Sequence, residues 1–306
     1  GSEMCIRDSA NRHGEYLQTI PTLKHFCANN TENERGTASS DVDMRTLNEY
    51  YYAAFERPIT CGGAYSVMVA YNELSGVPAV INPDIQKVLK DRWGLGFVVT
   101  DGGDFSQNVT FHKYSESHAE TLALAIKNGT DVMTDCEDVV EAAVFEALNS
   151  GLVSEKDIDK ALYNSLLARF RLGEFGEKHP FSDVCEMMID NEEHKCLNRR
   201  AALEQMVLLR NSDILPIYDE CSVAVVGMNG NCNLMDWYTG YSSYNTTIFD
   251  GIKERYGKAE YDNACDHIVI KSKLTGKYLG VADDDTVSAI YEKDDPRALF
   301  EKAEYG

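Results

Sequence analysis

The sequence predicts an α/β protein, namely the C-terminal half of a TIM-type (β/α)8 barrel followed by the beginning of an α/β sandwich domain and a short β-rich module. Strand-like and helix-like patterns alternate from Pro21 to about Phe175, which predicts parallel strands joined by right-handed helical crossovers. About four strand–helix units fit into this stretch, whereas a complete barrel has eight units over about 250 residues.

Within the partial barrel, residues 10–175, each predicted strand is followed by a predicted helix. Strands are expected at 23–27, 65–71, 97–101 and 131–134, because these runs are short and flanked by glycine, proline or polar residues. Helices are expected at 43–57, 83–92, 117–128, 139–149 and 155–172, where capping residues precede amphipathic patterns. The residues between 101 and 117 are predicted to be a polar loop.

Four further segments complete the predicted organisation. Residues 1–9 show no strand or helix pattern and are interpreted as an extraneous N-terminal segment. Residues 176–196 are predicted to be a polar linker, and residues 197–265 the start of a second α/β domain, with a helix at 197–211 and a strand at 222–226. Residues 266–306 are predicted to begin a β-rich insertion, with a hairpin over 266–280 that turns at Thr275 and Gly276.

Charge and cysteine content limit the classes of partner. The chain has 29 basic and 50 acidic residues and a net charge of -21, which argues against nucleic acid and anionic membrane surfaces as partners. No apolar run is long enough to cross a membrane. The nine cysteines are scattered without a C-x-x-C pair, so we expect a reducing, cytoplasmic location rather than a secreted one.

Asp101 is the first candidate site residue. It follows the β-branched run of a predicted buried strand and precedes Gly102 and Gly103. At the carboxyl end of a barrel strand, such a carboxylate stands in the concave rim where barrel enzymes carry their chemistry. Asp also caps turns and helices, and this stretch alone does not decide between the two interpretations.

Two other predicted strand ends carry polar side chains. Lys24 and His25 are neighbours, and neighbours in a strand face opposite sides, so both can face a ligand only at a strand end or a bulge. Tyr71 follows Met68 at the end of the next strand, where ordinary packing is the alternative role. The spacing of Asp104, His112, His118 and Glu120 fits no standard metal site, and loop or helix-surface positions are expected for them.

Taken together, these motifs resemble glycoside hydrolase family 3, which contains β-glucosidases and β-xylosidases. The first similar segment begins K-H-F at Lys24 and includes Asn29, Asn30, Glu32 and Arg35. The second runs from Met68 to Asn72 and is followed by the short motifs G-V-P and N-P. The third is the W-G…T-D run that ends at Asp101. The resemblance covers residues 22–266. A weaker likeness to the start of a fascin-like β-trefoil covers the last residues.

The resemblance implies a retaining β-glycosidase without a cofactor or metal, acting on terminal β-linked glucosyl or xylosyl residues of a glycoside or oligosaccharide. Asp101 would be the nucleophile, and Lys24, His25, Met68, Tyr71 and Arg35 would bind substrate. The family usually has an aromatic residue where this chain has Gly102, which favours the xylosidase-like branch. The general acid comes from the second domain in this family, and we assign no residue of this chain to that role.

Two other functions stay open at this point. A barrel remnant with a β module could bind carbohydrate without cleaving it, and a Schiff-base enzyme could use Lys24. Half a barrel would also leave open sheet edges, so we expect poor solubility or a homodimer formed by edge pairing.

Overall fold

The structure is a computed structural model that describes residues 12–13, 16–176, 181–218, 221–236, 238–240, 242 and 244–302. The segment expected to be extraneous, residues 1–9, lies outside the described residues. The chain divides into two units, Gly1–Cys185 and Glu186–Gly306, and each is described by itself.

The first unit alternates strands and helices. Its strands are β1 (Arg12–His13), β2 (Tyr16–Leu17), β3 (Thr22–Phe26), β4 (Ser39–Ser40), β5 (Ser66–Val69), β6 (Glu73–Leu74), β7 (Val77–Pro78) and β8 (Phe97–Val99). Its α-helices are α1 (Met44–Thr46), α2 (Ala53–Thr60), α3 (Asp104–Thr110), α4 (His118–Lys127), α5 (Glu137–Asn149) and α6 (Glu155–Leu172). Two π-helical segments, Leu47–Tyr51 and Ile85–Arg92, and a 3-10 turn, Ala79–Ile81, complete it.

A parallel sheet in the order β3–β5–β8 forms the centre of the first unit. Val67, Val69 and Val98 on its strands have no exposed surface, and burying each such side chain stabilises the fold by about 1.5–3 kcal/mol. The π-helical segment Ile85–Arg92 lies between β5 and β8 in sequence, as expected for the helical connection that joins parallel neighbours. The predicted mixed α/β class with parallel strands is therefore confirmed.

The fourth predicted strand, residues 131–134, is present only as an isolated parallel bridge between Val99 and Val132. The Thr100 amide donates to the Val132 carbonyl at 3.0 Å, and the Val132 amide donates to the Val98 carbonyl at 3.2 Å. Only these few bonds continue the ladder, so this segment is an extension of the sheet and not a regular strand. The predicted position of this segment beside β8 is correct, but the segment forms a single bridge and not a continuous strand.

The polar loop predicted after Asp101 is wrong, because α3 begins at Asp104. Gly103 precedes it with φ +76°, and only Phe105 among its side chains is both apolar and fully buried. An almost wholly polar helix has no apolar periodicity, which is why the pattern indicated a loop. The predicted helix at 43–57 instead comprises α1, the π-helical segment Leu47–Tyr51 and α2, and it extends to Thr60.

The second unit contains a second α/β arrangement. Its strands are β9 (Val223–Val226), β10 (Ala259–Asp262), β11 (His267–Ile268), β12 (Tyr278–Val281), β13 (Val287–Tyr291) and β14 (Phe300–Glu301). Its helices are α7 (Glu192–Gln205) and α8 (Ile248–Tyr256), with 3-10 turns at Glu186–Met188, Met228–Asn231 and Pro296–Ala298. β9 and β10 pair in parallel, and α8 lies between them in sequence.

Two predictions in the second unit need correction. The helix expected at 197–211 is α7, which begins at Glu192 because the Asn191 side chain caps it by accepting from the His194 amide. The hairpin expected over 266–280 forms only near its turn, through an isolated bridge between Lys271 and Tyr278. β11, the outer part of that predicted hairpin, pairs with the distant β14, and β12 pairs with β13.

Candidate active site

Asp101 follows the carboxyl end of β8, in a turn held by backbone bonds. The Thr100 hydroxyl accepts from the Thr134 amide at 2.8 Å, and the Gly103 amide donates to the Thr134 carbonyl at 2.8 Å. The Gly102 amide donates to Asp101 Oδ1 at 2.7 Å. These bonds fix the backbone on both sides of the carboxylate, so the position of Asp101 is set by the sheet itself.

His25 reaches Asp101 from β3, at the other side of the sheet. His25 Nε2 lies 2.8 Å from Asp101 Oδ2, and the two side chains are 24% and 18% exposed. Because a carboxylate accepts only, His25 Nε2 carries the hydrogen that it donates. Asp101 thus accepts from Gly102 on one oxygen and from His25 on the other, and part of its side chain stays exposed to solvent.

Lys24 and His25 both line a cavity of about 510 Å³. The register of β3 against β5 is irregular between Leu23 and Phe26, the kind of interruption that allows neighbouring side chains to reach one face. The other lining residues are Ala28, Asn29, Asn30, Glu32, Tyr50, Tyr51, Ala54 and Phe55. Asp101 is not among them, and His25 joins the cavity to the carboxylate.

Tyr71 stands beside the same carboxylate. Its hydroxyl donates to the Gly102 carbonyl at 2.7 Å. Burial, and then the negative charge of Asp101, raise the pKa of the Tyr71 phenol to about 12, so it is a neutral donor at physiological pH. The Arg35 guanidinium lies 4.3 Å from the centre of the Tyr71 ring, close enough for a cation–π contact.

Arg35 also forms an ion pair with Glu32, Nη1 to Oε2 at 2.5 Å, and Glu32 Oε1 accepts from the Asn29 side-chain amide at 3.0 Å. These contacts brace the loop after β3 against Tyr71. Met68 lies on β5 opposite Val99, between the strand of His25 and the strand of Asp101, and its side chain is half-buried. The sheet therefore brings together His25, Tyr71, Arg35 and Asp101, with Lys24 in the adjoining cavity and Met68 on the central strand.

Asp104 was misjudged, because it is a buried residue of α3 and not a surface residue. His112 does lie in the loop after α3, as expected, but its side chain is only 1% exposed. Asp104 is 2% exposed, and its Oδ2 atom has no hydrogen-bond partner. Burial, and then the charges of Asp101 and Asp135, raise the pKa of Asp104 well above its usual value. Its i+3 spacing from Asp101 would have indicated this proximity if the helical turn at Gly103 had been recognised.

No cluster of three or more histidine, cysteine or acidic side chains suited to a metal ion occurs among the residues that the structure describes. Over the same residues, no helix is both long and apolar enough to cross a membrane.

No family model matches the chain. Among curated proteins, it is 30% identical to a probable exo-1,4-beta-xylosidase of Aspergillus clavatus over 244 residues, which cover 76% of this chain and 31% of that protein. It is also 30% identical to a beta-xylosidase of Formosa agariphila over 271 residues, which cover 81% of this chain and 37% of that protein. The chain spans about a third of the length of the curated relatives it matches.

A solved exo-beta-xylosidase, in complex with a xylobiose aziridine activity-based probe, superposes with a TM-score of 0.76 at 26% identity. The match covers 85% of this chain and 35% of that one. These similar proteins share the glycoside hydrolase class. Within that class, the chain belongs to glycoside hydrolase family 3.

Proposed function

We propose that this chain carries the nucleophile-bearing part of a retaining β-glycosidase that removes terminal β-linked xylosyl or glucosyl residues. The single observation that supports it best is the contact of His25 Nε2 with Asp101 Oδ2 at 2.8 Å, at the carboxyl edge of a parallel sheet. A partly exposed carboxylate that is fixed by two donors is arranged for attack on an electrophile.

In the proposed reaction, an Asp101 oxygen attacks the anomeric carbon while the bond from that carbon to the leaving oxygen breaks. The leaving oxygen takes up a proton, and a covalent glycosyl–Asp101 ester forms. Water then attacks the anomeric carbon and loses a proton to solvent while the bond from that carbon to Asp101 breaks. The sugar and the carboxylate are released, and two inversions give net retention. His25 holds the carboxylate in place, and Lys24 would donate to sugar hydroxyls from the adjoining cavity.

The preferred sugar follows from the residue after the nucleophile. A Cβ atom built on Gly102 would meet no heavy atom of the described residues within 4 Å, and glycine itself offers no ring that could stack on a hexose at this position. We propose a β-xyloside as the preferred substrate. The xylosidase names of the curated relatives support that choice.

We also propose that β3, β5, β8 and the bridge at Val132 are consecutive members of a (β/α)8 barrel. Their parallel order and the intervening helices support it. In this arrangement the outer edge of β3 is the surface at which two copies of the chain would pair, and light scattering across a concentration series would detect such a dimer.

The experiment is intact-mass spectrometry after incubation with a 2-deoxy-2-fluoro-β-xyloside that carries a dinitrophenyl leaving group. That leaving group departs without protonation, so no general acid is needed. We expect one adduct, mapped to Asp101, and none on Asp101→Asn. Binding of xylo-oligosaccharide to folded protein without any adduct would contradict the proposal and would indicate a carbohydrate-binding protein.

A further inference from the structure

The His112 ring is held between two groups of one short segment. Its Nε2 atom lies 2.8 Å from the Tyr71 carbonyl oxygen, and its Nδ1 atom lies 3.1 Å from Glu73 Oε1. The side chains of His112 and Glu73 are 1% and 17% exposed. Water therefore has almost no access to the ring, and these two contacts account for both of its nitrogen atoms.

Both partners are acceptors. A peptide carbonyl cannot donate, so Nε2 carries a hydrogen, and an ionised carboxylate cannot donate either, so Nδ1 must carry one too. A ring that lacked the second hydrogen would direct a lone pair at the Glu73 oxygen in a buried site, which is costly. The contacts are therefore satisfied by an imidazolium paired with the Glu73 carboxylate.

This ring connects the two segments on which the proposed chemistry depends. His112 follows α3, the helix that begins three residues after Asp101, and its amide donates to the Gln107 carbonyl at 3.0 Å. Tyr71 lies after β5, and its hydroxyl returns to the Gly102 carbonyl at 2.7 Å. The bond from the His112 ring to the Tyr71 carbonyl and the bond from the Tyr71 hydroxyl to the Gly102 carbonyl therefore connect Tyr71 to the chain on the C-terminal side of Asp101.

The segment is also held from its other side. Asn72, between the two residues that His112 contacts, donates its side-chain amide to the Cys27 carbonyl at 3.3 Å and to its neighbour's carbonyl, that of Glu73, at 2.9 Å. Asn72 thus ties the segment to the end of β3, whereas His112 ties it to the helix that follows Asp101. A change at His112 would remove its bond to the Tyr71 carbonyl. The Tyr71 hydroxyl would keep its bond to the Gly102 carbonyl, and Asn72 would keep its bond to the Cys27 carbonyl.

We propose that His112, as an imidazolium paired with Glu73, is a positioning residue that fixes Tyr71 relative to Asp101. The catalytic consequence rests on the proposed function, whereas the charge state and the position of Tyr71 do not. Glu73 is the charged side chain at ion-pair distance from the ring among the described residues. The Tyr71 phenol, with its pKa raised to about 12, does not titrate in the neutral range, and Lys113 and Tyr114 are the titratable neighbours in sequence.

The variant that tests this is Glu73→Gln. The glutamine amide can donate to Nδ1 while Nε2 still donates to the Tyr71 carbonyl, so a neutral ring satisfies every contact and the variant should fold. We expect nitrogen NMR to show both ring nitrogens of His112 protonated in the wild-type protein at pH 7, and only Nε2 protonated in Glu73→Gln. An unprotonated nitrogen in the wild-type ring would overturn the proposal.

The NMR resonances of the Tyr71 ring measure its positioning independently of any catalytic activity. As the pH rises and His112 loses its second proton, the Tyr71 ring resonances should shift in the wild-type protein and stay constant in Glu73→Gln. Glu146→Gln, which removes one exposed carboxylate on α5, is the matched control and should follow the wild type. Constant Tyr71 resonances through the His112 titration of the wild type would overturn the positioning role.

The labelling rate of Asp101 by the fluoro-xyloside measures the catalytic consequence. We expect a fall of about ten- to a hundredfold in the wild type over the His112 titration, because small displacements in a site carry costs of this size. Glu73→Gln should not show that fall. Absence of any label on the wild type would count against the proposed function, while the NMR results would still decide the role of His112.

Discussion

Asp101 and His25 are in direct contact across a three-stranded sheet, with His25 Nε2 2.8 Å from Asp101 Oδ2. β5 lies between their strands, so this contact spans the sheet at its carboxyl edge. Parallel strands end at the same edge, which is why residues 76 positions apart in sequence, 101 minus 25, can meet.

Removing the His25 ring should slow the reaction of Asp101. A hydrogen bond to a charged group is worth about 1.5–3 kcal/mol, so we expect His25→Ala to lower the labelling rate by about ten- to a hundredfold. The measurement is the second-order rate constant for adduct formation by mass spectrometry. His194→Ala, at an exposed histidine of α7, is the control and should label at the wild-type rate. Unchanged labelling of His25→Ala would show that the contact has no role in the reaction.

The two glycines after Asp101 should respond differently to alanine. A Cβ at Gly102 meets no heavy atom of the described residues within 4 Å, and its φ lies outside the left-handed region, whereas Gly103 has φ +76°. We therefore expect Gly102→Ala to change the free energy of unfolding by less than about 0.5 kcal/mol and Gly103→Ala to lower it by about 1–2 kcal/mol. Urea unfolding followed by circular dichroism measures both, and equal effects would contradict the assigned backbone conformations.

Because of Asp104, the free energy of unfolding should fall as the pH rises, which is the opposite of the usual effect of a carboxyl group. Its pKa is raised in the folded state by burial and by Asp101 and Asp135, so the folded protein retains a proton that the unfolded chain loses near pH 3.9. The stability that this group contributes is complete below that pH and is lost as the pH rises through the folded-state pKa.

Asp104→Asn mimics the protonated carboxyl and should lack this loss. We expect the free energy of unfolding of the variant to equal that of the wild type at about pH 4 and to exceed it increasingly at higher pH, because the variant has no buried carboxyl to ionise. Urea titrations between pH 4 and pH 8 provide the comparison. Asp135→Asn is a second comparison. Removal of the Asp135 charge should make the free energy of unfolding fall less steeply with pH than in the wild type, without abolishing the fall. A variant that is less stable at pH 8 than the wild type would refute the buried, protonated state.

The parts of the fold that the sequence predicted well have local signals. The helix predicted at 155–172 is α6 with the same bounds, because Ser154 and Asp157 form a capping box and Gly173 ends the helix with φ +82°. The strand that precedes Asp101 was recognised from its β-branched run between glycine and acid. At both places the signal lies within a few residues of the feature.

The parts that were missed depend on distant partners or on polar residues. β11 pairs with β14, more than 30 residues away, and the local alternation suggested a hairpin instead. α8 has a capping box formed by Thr247 and Asp250, a local signal that could have predicted it. The role of His112 could not be predicted, because it depends on contacts with Tyr71 and Glu73 that the tertiary structure creates.

The buried ion pair between Lys90 and Asp131 provides a further test of the fold. Lys90 Nζ lies 2.7 Å from both Asp131 carboxylate oxygens, and the two side chains are 8% and 3% exposed. Asp131 also accepts from the Val98 amide at 2.8 Å and from the Asn164 side chain at 2.8 Å, so it joins β8 to α6. Burial lowers the pKa of Lys90, and that cost is offset only while the carboxylate is present.

Lys90→Met should therefore lower the free energy of unfolding by about 3–5 kcal/mol, because it leaves a buried carboxylate without its cation. The double variant Lys90→Met with Asp131→Asn should recover most of that loss, since the asparagine oxygen still accepts from the Val98 amide and no buried charge remains. Urea unfolding of the wild type, both single variants and the double variant completes a double-mutant cycle. Additive single effects would mean that the two charges do not interact, and would contradict the buried ion pair between Lys90 and Asp131.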